Sequence, residues 1–216
     1  MKSKLFKFRN YKFFKMSTTA IVLLLLAVTS CSKDSSVKQD PVFQLPPETQ
    51  IGANTFGVTI NGKVYVPRDP TGVNVGGTTP RGMRLFGSGT TPSEYMELVV
   101  VDGASAVGFK ITIHTQNLIS LGIGQYILKQ SNFQSQADSV PFNHIFFKIW
   151  DSTIGNYAYY GSVEGQGNID ITRLDNGILS GKFAGKFVRY DNSNKFIQIL
   201  DGRFDIGPDL NSKIFP

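Results

Sequence analysis

The sequence predicts an all-β fold, an antiparallel β-sandwich or barrel of about ten strands preceded by a signal peptide and a disordered tether. Three observations carry this expectation. From Thr55 onward apolar residues alternate with polar or small ones at period two, as in strands with one face in a core. Turn signals such as Asn61-Gly62, Asp102-Gly103 and Asn176-Gly177 separate the runs. No run of ten or more residues repeats its apolar positions at a helical period.

The chain opens differently. Residues 1–19 hold six basic side chains (Lys2, Lys4, Lys7, Arg9, Lys12 and Lys15) and no acid. The apolar run that follows, Ala20 to Val28, is shorter than the ~20 residues that span a bilayer core. A basic start, a short apolar centre and small residues behind it define a secretory signal peptide, residues 1–30, absent from the mature protein. Residues 31–54 are expected to form the tether. Their stretch Ser32 to Gln50 is polar and holds Pro41, Pro46 and Pro47, a composition that buries too little to order itself.

A single β domain is expected over 55–216. Phe56, Val58 and Ile60 alternate up to Asn61-Gly62, and Lys63 to Val66 returns as the second arm of a hairpin. Pro67 to Gly82 is rich in Gly, Pro and Thr and reads as a long loop. Met83 to Ser88, Tyr95 to Val101 and Val107 to His114 read as strands, the last with one wet face. Ile119 to Leu128 reads as a further strand interrupted by Gly122 and Gly124, and Lys129 to Val140 as a loop. Phe142 to Trp150 alternates again, with Ile145, Phe147 and Ile149 on one face and His144, Phe146, Lys148 and Trp150 on the other. Tyr157 to Val163, Ile169 to Leu174, Leu179 to Tyr190 and Lys195 to Ile206 complete the meander. Turns are expected at 175–177 and 191–194.

Net charge +6 suggests a nucleic-acid partner at first sight. Six of the 22 basic residues lie in the signal, however, so the rest of the chain carries as many acids as bases. No electrostatic footprint for nucleic acid remains.

Catalytic spacing is sparse. There is no Gly-x-Ser-x-Gly elbow, and Ser35-x-x-Lys38 falls in the tether. His114 and His144 are the only histidines; both fall on expected outward faces, and their spacing does not suit a zinc site. No cofactor, metal or catalytic residue is assigned. Asp151-Ser152-Thr153 and Asp191-Asn192-Ser193-Asn194 offer oxygens but lack the spacing of a calcium loop, and read as turns. Paired carboxylates for glycoside hydrolysis would come from a short list, since Glu94, Glu97 and Glu164 are the only glutamates of the β domain. The suggestive constellation is aromatic. Phe146, Trp150, Tyr157, Tyr159 and Tyr160, with Lys148 and His144, are expected to form a stacking platform for a glycan or peptide if their face is exposed, and packing if both faces are buried.

Two resemblances extend this reading. Val28-Thr29-Ser30-Cys31 resembles the lipobox of bacterial lipoproteins, and Cys31 is the only cysteine in the chain. The resemblance implies cleavage before Cys31 and acylation of its sulfur and amino group. Two or three such chains anchor durably, at about 0.8 kcal/mol per buried methylene, where one is marginal. Ser32-Lys33-Asp34 loosely resembles the surface-export signal of some Bacteroidota lipoproteins. Phe56 to Gly62, Ser180-Gly181-Lys182-Phe183 and Asp201-Gly202-Arg203-Phe204-Asp205 are similar to the recurring ends of a Bacteroidota lipoprotein family with a domain of unknown function. Within these motifs Arg203 and Asp205 are expected to share a face and join one cross-strand network.

The expected function is that of an outer-membrane lipoprotein, held by its N-terminal lipid on the periplasmic or cell-surface side, whose non-catalytic β domain serves binding or assembly. The alternatives are a surface-attached hydrolase of polysaccharide or peptide, and a subunit of a larger envelope complex.

Overall fold

A computed structural model describes residues 41–72, 81–89, 94–135 and 140–216. The expected signal peptide, Cys31 and the first part of the expected tether lie outside the described residues. The described chain from residue 41 onward belongs to one compact unit.

The unit is nearly all β. Its strands are β1 (Thr55–Ile60), β2 (Lys63–Tyr65), β3 (Met83–Ser88), β4 (Tyr95–Val101), β5 (Lys110–Gln116), β6 (Gly124–Ile127), β7 (His144–Asp151), β8 (Asn156–Asp175), β9 (Ile178–Arg189) and β10 (Asn192–Ile206). All pair antiparallel in one ten-stranded sheet of order β2-β1-β10-β9-β8-β7-β5-β4-β3, with β6 added beside β8. The sheet curls back on itself. Arg68, just past β2, bridges in parallel to Asp102 at the end of β4, with Arg68 N donating to Val101 O at 3.0 Å and Gly103 N to Arg68 O at 2.9 Å.

The turns follow local chemistry. Asn61 and Gly62 have φ of 50° and 78°, and Asn176 and Gly177 have 49° and 74°, the left-handed pair that a two-residue hairpin needs. Other elements depart from expectation. Ile119 to Leu128 is not one strand: a single helical turn, α1 (Leu118–Leu121), precedes β6. The buried Glu94 carboxylate holds that turn, accepting from Ser120 N at 3.0 Å and also from Ile119 N and Ser120 Oγ. Burial alone would raise its pKa, but these bonds outweigh it and hold the group below the usual range. The two strands expected over 157–174 are one, β8, which pairs first with β7 and then with β6. Its register against β9 breaks between Ser162 and Gly167, letting the long strand bend from one neighbour to the other.

The inner face is a continuous apolar core that includes Phe56, Ile111, Phe147, Phe183, Phe187 and Ile199. The two C-terminal motifs interlock there. Gly202 pairs with Phe183 and Gly181 with Phe204, so each ring lies over the other motif's glycine. A Cβ on Gly181 would stand 2.7 Å from the Phe204 ring, which explains glycine at that site.

Half of the expected tether is part of this unit. Pro46 and Leu45 lie directly on Gly57 of β1, where any side chain would collide with them. Thr49 Oγ1, Ile51 N, Gly52 N and Ala53 N all donate to the Asp205 carboxylate, at 2.6, 3.1, 2.9 and 3.1 Å. Ser180 Oγ supplies a fifth donor at 2.7 Å. Arg203 does not join Asp205; it pairs with Asp201 and donates to Pro46 O at 3.1 Å. The segment is ordered by partners more than 150 residues away, which its own composition does not reveal.

Candidate functional site

The outer face of β4, β5, β7 and β8 carries the side chains with chemical potential, in cross-strand rows fixed by register. One row runs Glu97, His114, His144; the next Val99, Thr112, Phe146, Gly161; the third Val101, Lys110, Lys148, Tyr159. Trp150 pairs with Tyr157 in the fourth.

The first row is sealed. Both histidines point outward, as their period-two positions require, yet each is 0% exposed. Ser131, Ser135 and Val140, from the stretch Lys129 to Val140 read as a loop from sequence, lie against this row. His114 Nε2 donates to Val140 O at 3.2 Å, and its Nδ1 stands 3.2 Å from Glu97 Oε2. Ser135 Oγ donates to Glu97 Oε1 at 2.8 Å. Ser131 Oγ accepts from Phe133 N at 3.1 Å and stands 3.0 Å from His144 Nδ1. His144 Nε2 is buried without a hydrogen-bond partner among the described residues, with the Phe142, Phe146 and His114 rings around it.

A Ser–His contact has the geometry of an activated nucleophile. Here Ser131 is buried and the imidazole fully so, which keeps substrate from both and makes the pair a packing element. Among the described residues no three metal-ligating side chains group together.

Burial, reinforced by the neighbouring His114, lowers the His144 pKa to about 4 against the smaller opposing pull of Glu97. An unfolded histidine binds its proton near 6.5, so below that pH the unfolded chain holds more protons than the native one. Stability is therefore complete above about pH 6.5 and falls towards pH 4, by a total of about 3 kcal/mol at 1.36 kcal/mol per pKa unit. His144→Phe is expected to flatten this part of the stability–pH curve, measured by urea unfolding at pH 7, 5.5 and 4. An unchanged slope would disprove the assignment.

The third and fourth rows are open. Trp150 is 38% and Tyr159 47% exposed. Trp150 stands edge-on to Tyr157 at 5.5 Å between ring centroids, and Lys148 Nζ lies 4.4 Å over the Tyr157 ring. Phe146 is half-buried against Phe133. Tyr160 does not join them. It lies in the core, stacked on Phe147 at 5.4 Å, because residues 159 and 160 are adjacent in a strand and must face opposite sides. Four of the five expected platform rings therefore share one face. The residues that sequence does not announce are Lys110 and Thr112. With Phe146, Phe147, Lys148 and Tyr159 they line a groove of about 200 Å³. Their alternation with Phe109 and Ile111 places them outward, but only the pairing of β5 with β7 brings them to the aromatics.

A second hollow, of about 320 Å³, lies where the 47–50 segment crosses β9 and β10. Its charged groups are already engaged, Lys182 with Glu48, Arg203 with Asp201, and Asp205 with its five donors. It is a seam that holds the N-terminal segment.

No family model, curated protein or solved structure compared with this chain matches it.

Proposed function

We propose that this chain is a lipid-anchored lipoprotein of the outer membrane whose β domain binds a ligand, without transforming it, on the open outer face of β7 and β8. The observation that carries the reading is the presentation of Trp150, Tyr157 and Tyr159 with Lys148 on one exposed sheet face. Flat rings with a polar handle suit a glycan or peptide surface. The anchor rests on the lipobox-like run ending at Cys31 and on the basic and apolar segments before it. The glutamates that a hydrolase would draw on are engaged: Glu94 on α1, Glu97 between His114 and Ser135, and Glu164 with Lys129 at 2.8 Å.

Two measurements test the halves separately. Metabolic labelling with a clickable palmitate analogue is expected to mark the full-length protein and to leave Cys31→Ser unmarked and unprocessed; an unmarked wild type would refute the anchor. The full-length protein in detergent, applied to a glycan and peptide array, is expected to give signals that Trp150→Ala and Tyr159→Ala abolish. Signals indifferent to both substitutions would remove the platform. A fragment beginning at Ile51 is unsuitable, because it lacks the Thr49 bond and the Pro46 contact.

A further inference from the structure

The groove beside the aromatic face is unusual in its charge. Lys110 and Lys148 are direct cross-strand partners, an arrangement in which like charges repel and destabilise a sheet. Arg84 on β3 adds a third cation near enough to act on Lys110. Among the described residues none of the three is ion-paired. Arg84 rests over the Phe86 ring, and the nearest acid to act on Lys110, Glu97, is committed to His114 and Ser135. Lys110 is half-buried, and burial, then the charges of Arg84 and Lys148, push its ammonium below the usual lysine range. Two polar atoms in this part of the sheet are buried with no partner among the described residues: Thr112 Oγ1, beneath the groove, and Arg84 Nε on β3, outside its lining. Thr112 is 0% exposed and forms the closed floor of the groove, out of a ligand's direct reach. Repelling cations and orphaned donors are costs that a folded chain ordinarily avoids, and such violations gather at functional sites. An oxyanion in the groove relieves the repulsion between Lys110 and Lys148.

The remaining lining is flat and apolar: Phe146 and the half-exposed ring of Tyr159. The volume, about 200 Å³, is below the ~300–1,000 Å³ that encloses a drug-sized ligand, and so suits one ring or the terminal unit of a chain. Hydroxyl and ammonium donors around that ring suit a ligand that is itself polar at its edge and apolar on its face. We propose that this groove binds a single acidic sugar unit, its carboxylate or sulfate held between Lys110 and Lys148, its ring face against Tyr159 and Phe146. This rests on the binding reading above and specifies the ligand class.

The test is calorimetric titration of the full-length protein in detergent with four probes: a galacturonate disaccharide, a sulfated disaccharide, the neutral galactose disaccharide, and inorganic sulfate. One or both acidic disaccharides are expected to bind at least about tenfold tighter than the neutral one and than free sulfate, and which of them wins identifies the anion. Lys110→Gln and Lys148→Gln are each expected to lose about tenfold in affinity while melting at an equal or higher temperature, since the repulsion is relieved. Equal binding of the neutral disaccharide, with both lysine variants unaffected and Tyr159→Ala inactive, overturns the acidic-sugar site and leaves the aromatic platform standing. No binding by any probe, with a platform equally silent on the array, overturns both. A lower melting temperature in the lysine variants assigns the pair to structure and also overturns the proposal.

Discussion

Asp205→Ala is expected to destabilise the domain by about 3–5 kcal/mol and to release the chain before Asn54, because five donors lose one buried acceptor at once. Burial by itself would raise this carboxyl's pKa. The bonds from Thr49, Ser180, Ala53 and Gly52 more than reverse that and hold it at about 2, from an ordinary value of 3.8. The folded pKa lies below the unfolded one, so the contribution is present above about pH 4 and lost as pH falls through 2. It amounts to about 2 kcal/mol, in line with the depressed pKa. Asp205→Asn keeps the shape but removes this acid-sensitive part, so wild type and variant should converge in stability near pH 2. Urea unfolding followed by circular dichroism at pH 7, 4 and 2.5 measures both effects. Limited proteolysis reports the release directly, as new cleavage between residues 41 and 53. A loss below about 1 kcal/mol at pH 7, with no new cleavage, would mean that the segment is held elsewhere.

Breaking the Arg68–Asp102 pair is expected to cost as much. Arg68 Nε and Nη2 donate to the two Asp102 oxygens at 2.6 and 2.7 Å, in a fork that is nearly buried. It closes the sheet upon itself, and the Phe43 ring covers the guanidinium. Asp69, next in sequence, ties the same spot to Gly82 N at 2.6 Å and to Phe215 N at 3.0 Å. Removing either partner strands a buried charge, and Arg68→Met or Asp102→Leu alone should each lose about 3–5 kcal/mol. The double variant strands no buried charge and gives up only the bond from Ser105 N to Asp102 at 3.2 Å, so replacing both with apolar side chains should recover much of that loss. A double-mutant cycle on thermal unfolding measures the coupling. Additive losses in the double variant would show that the two side chains act independently and that the closure rests on backbone bonds.

How much of this was visible beforehand depends on how far apart the cooperating residues lie. Where neighbours decide, the reading holds: Met83–Ser88 and Tyr95–Val101 form the expected strands, and the Asn-Gly pairs turn where both residues adopt positive φ. Period two also assigns the histidines to the outer face; it sets Tyr160 opposite Tyr157 and Tyr159 as well, which the expected five-ring platform overlooked. The equal count of acids and bases beyond residue 30, and the lone cysteine, are plain from composition.

Distance hides the rest. Residues 41–54 have the composition of a loose linker and are ordered by an aspartate at the far end of the chain. Leu118 to Leu121 turns as a helix because Glu94 reaches its amides. The histidines are dry because a polar segment folds over them, and Lys110 meets Lys148 because β6 leaves the main path and lets β5 pair with β7. Alternation along one strand states which way a side chain points, since that is set by the pleat of its own backbone. What it points at is set by strand order, register and cover. Those come from hydrogen bonds between segments whose pairing no local pattern encodes.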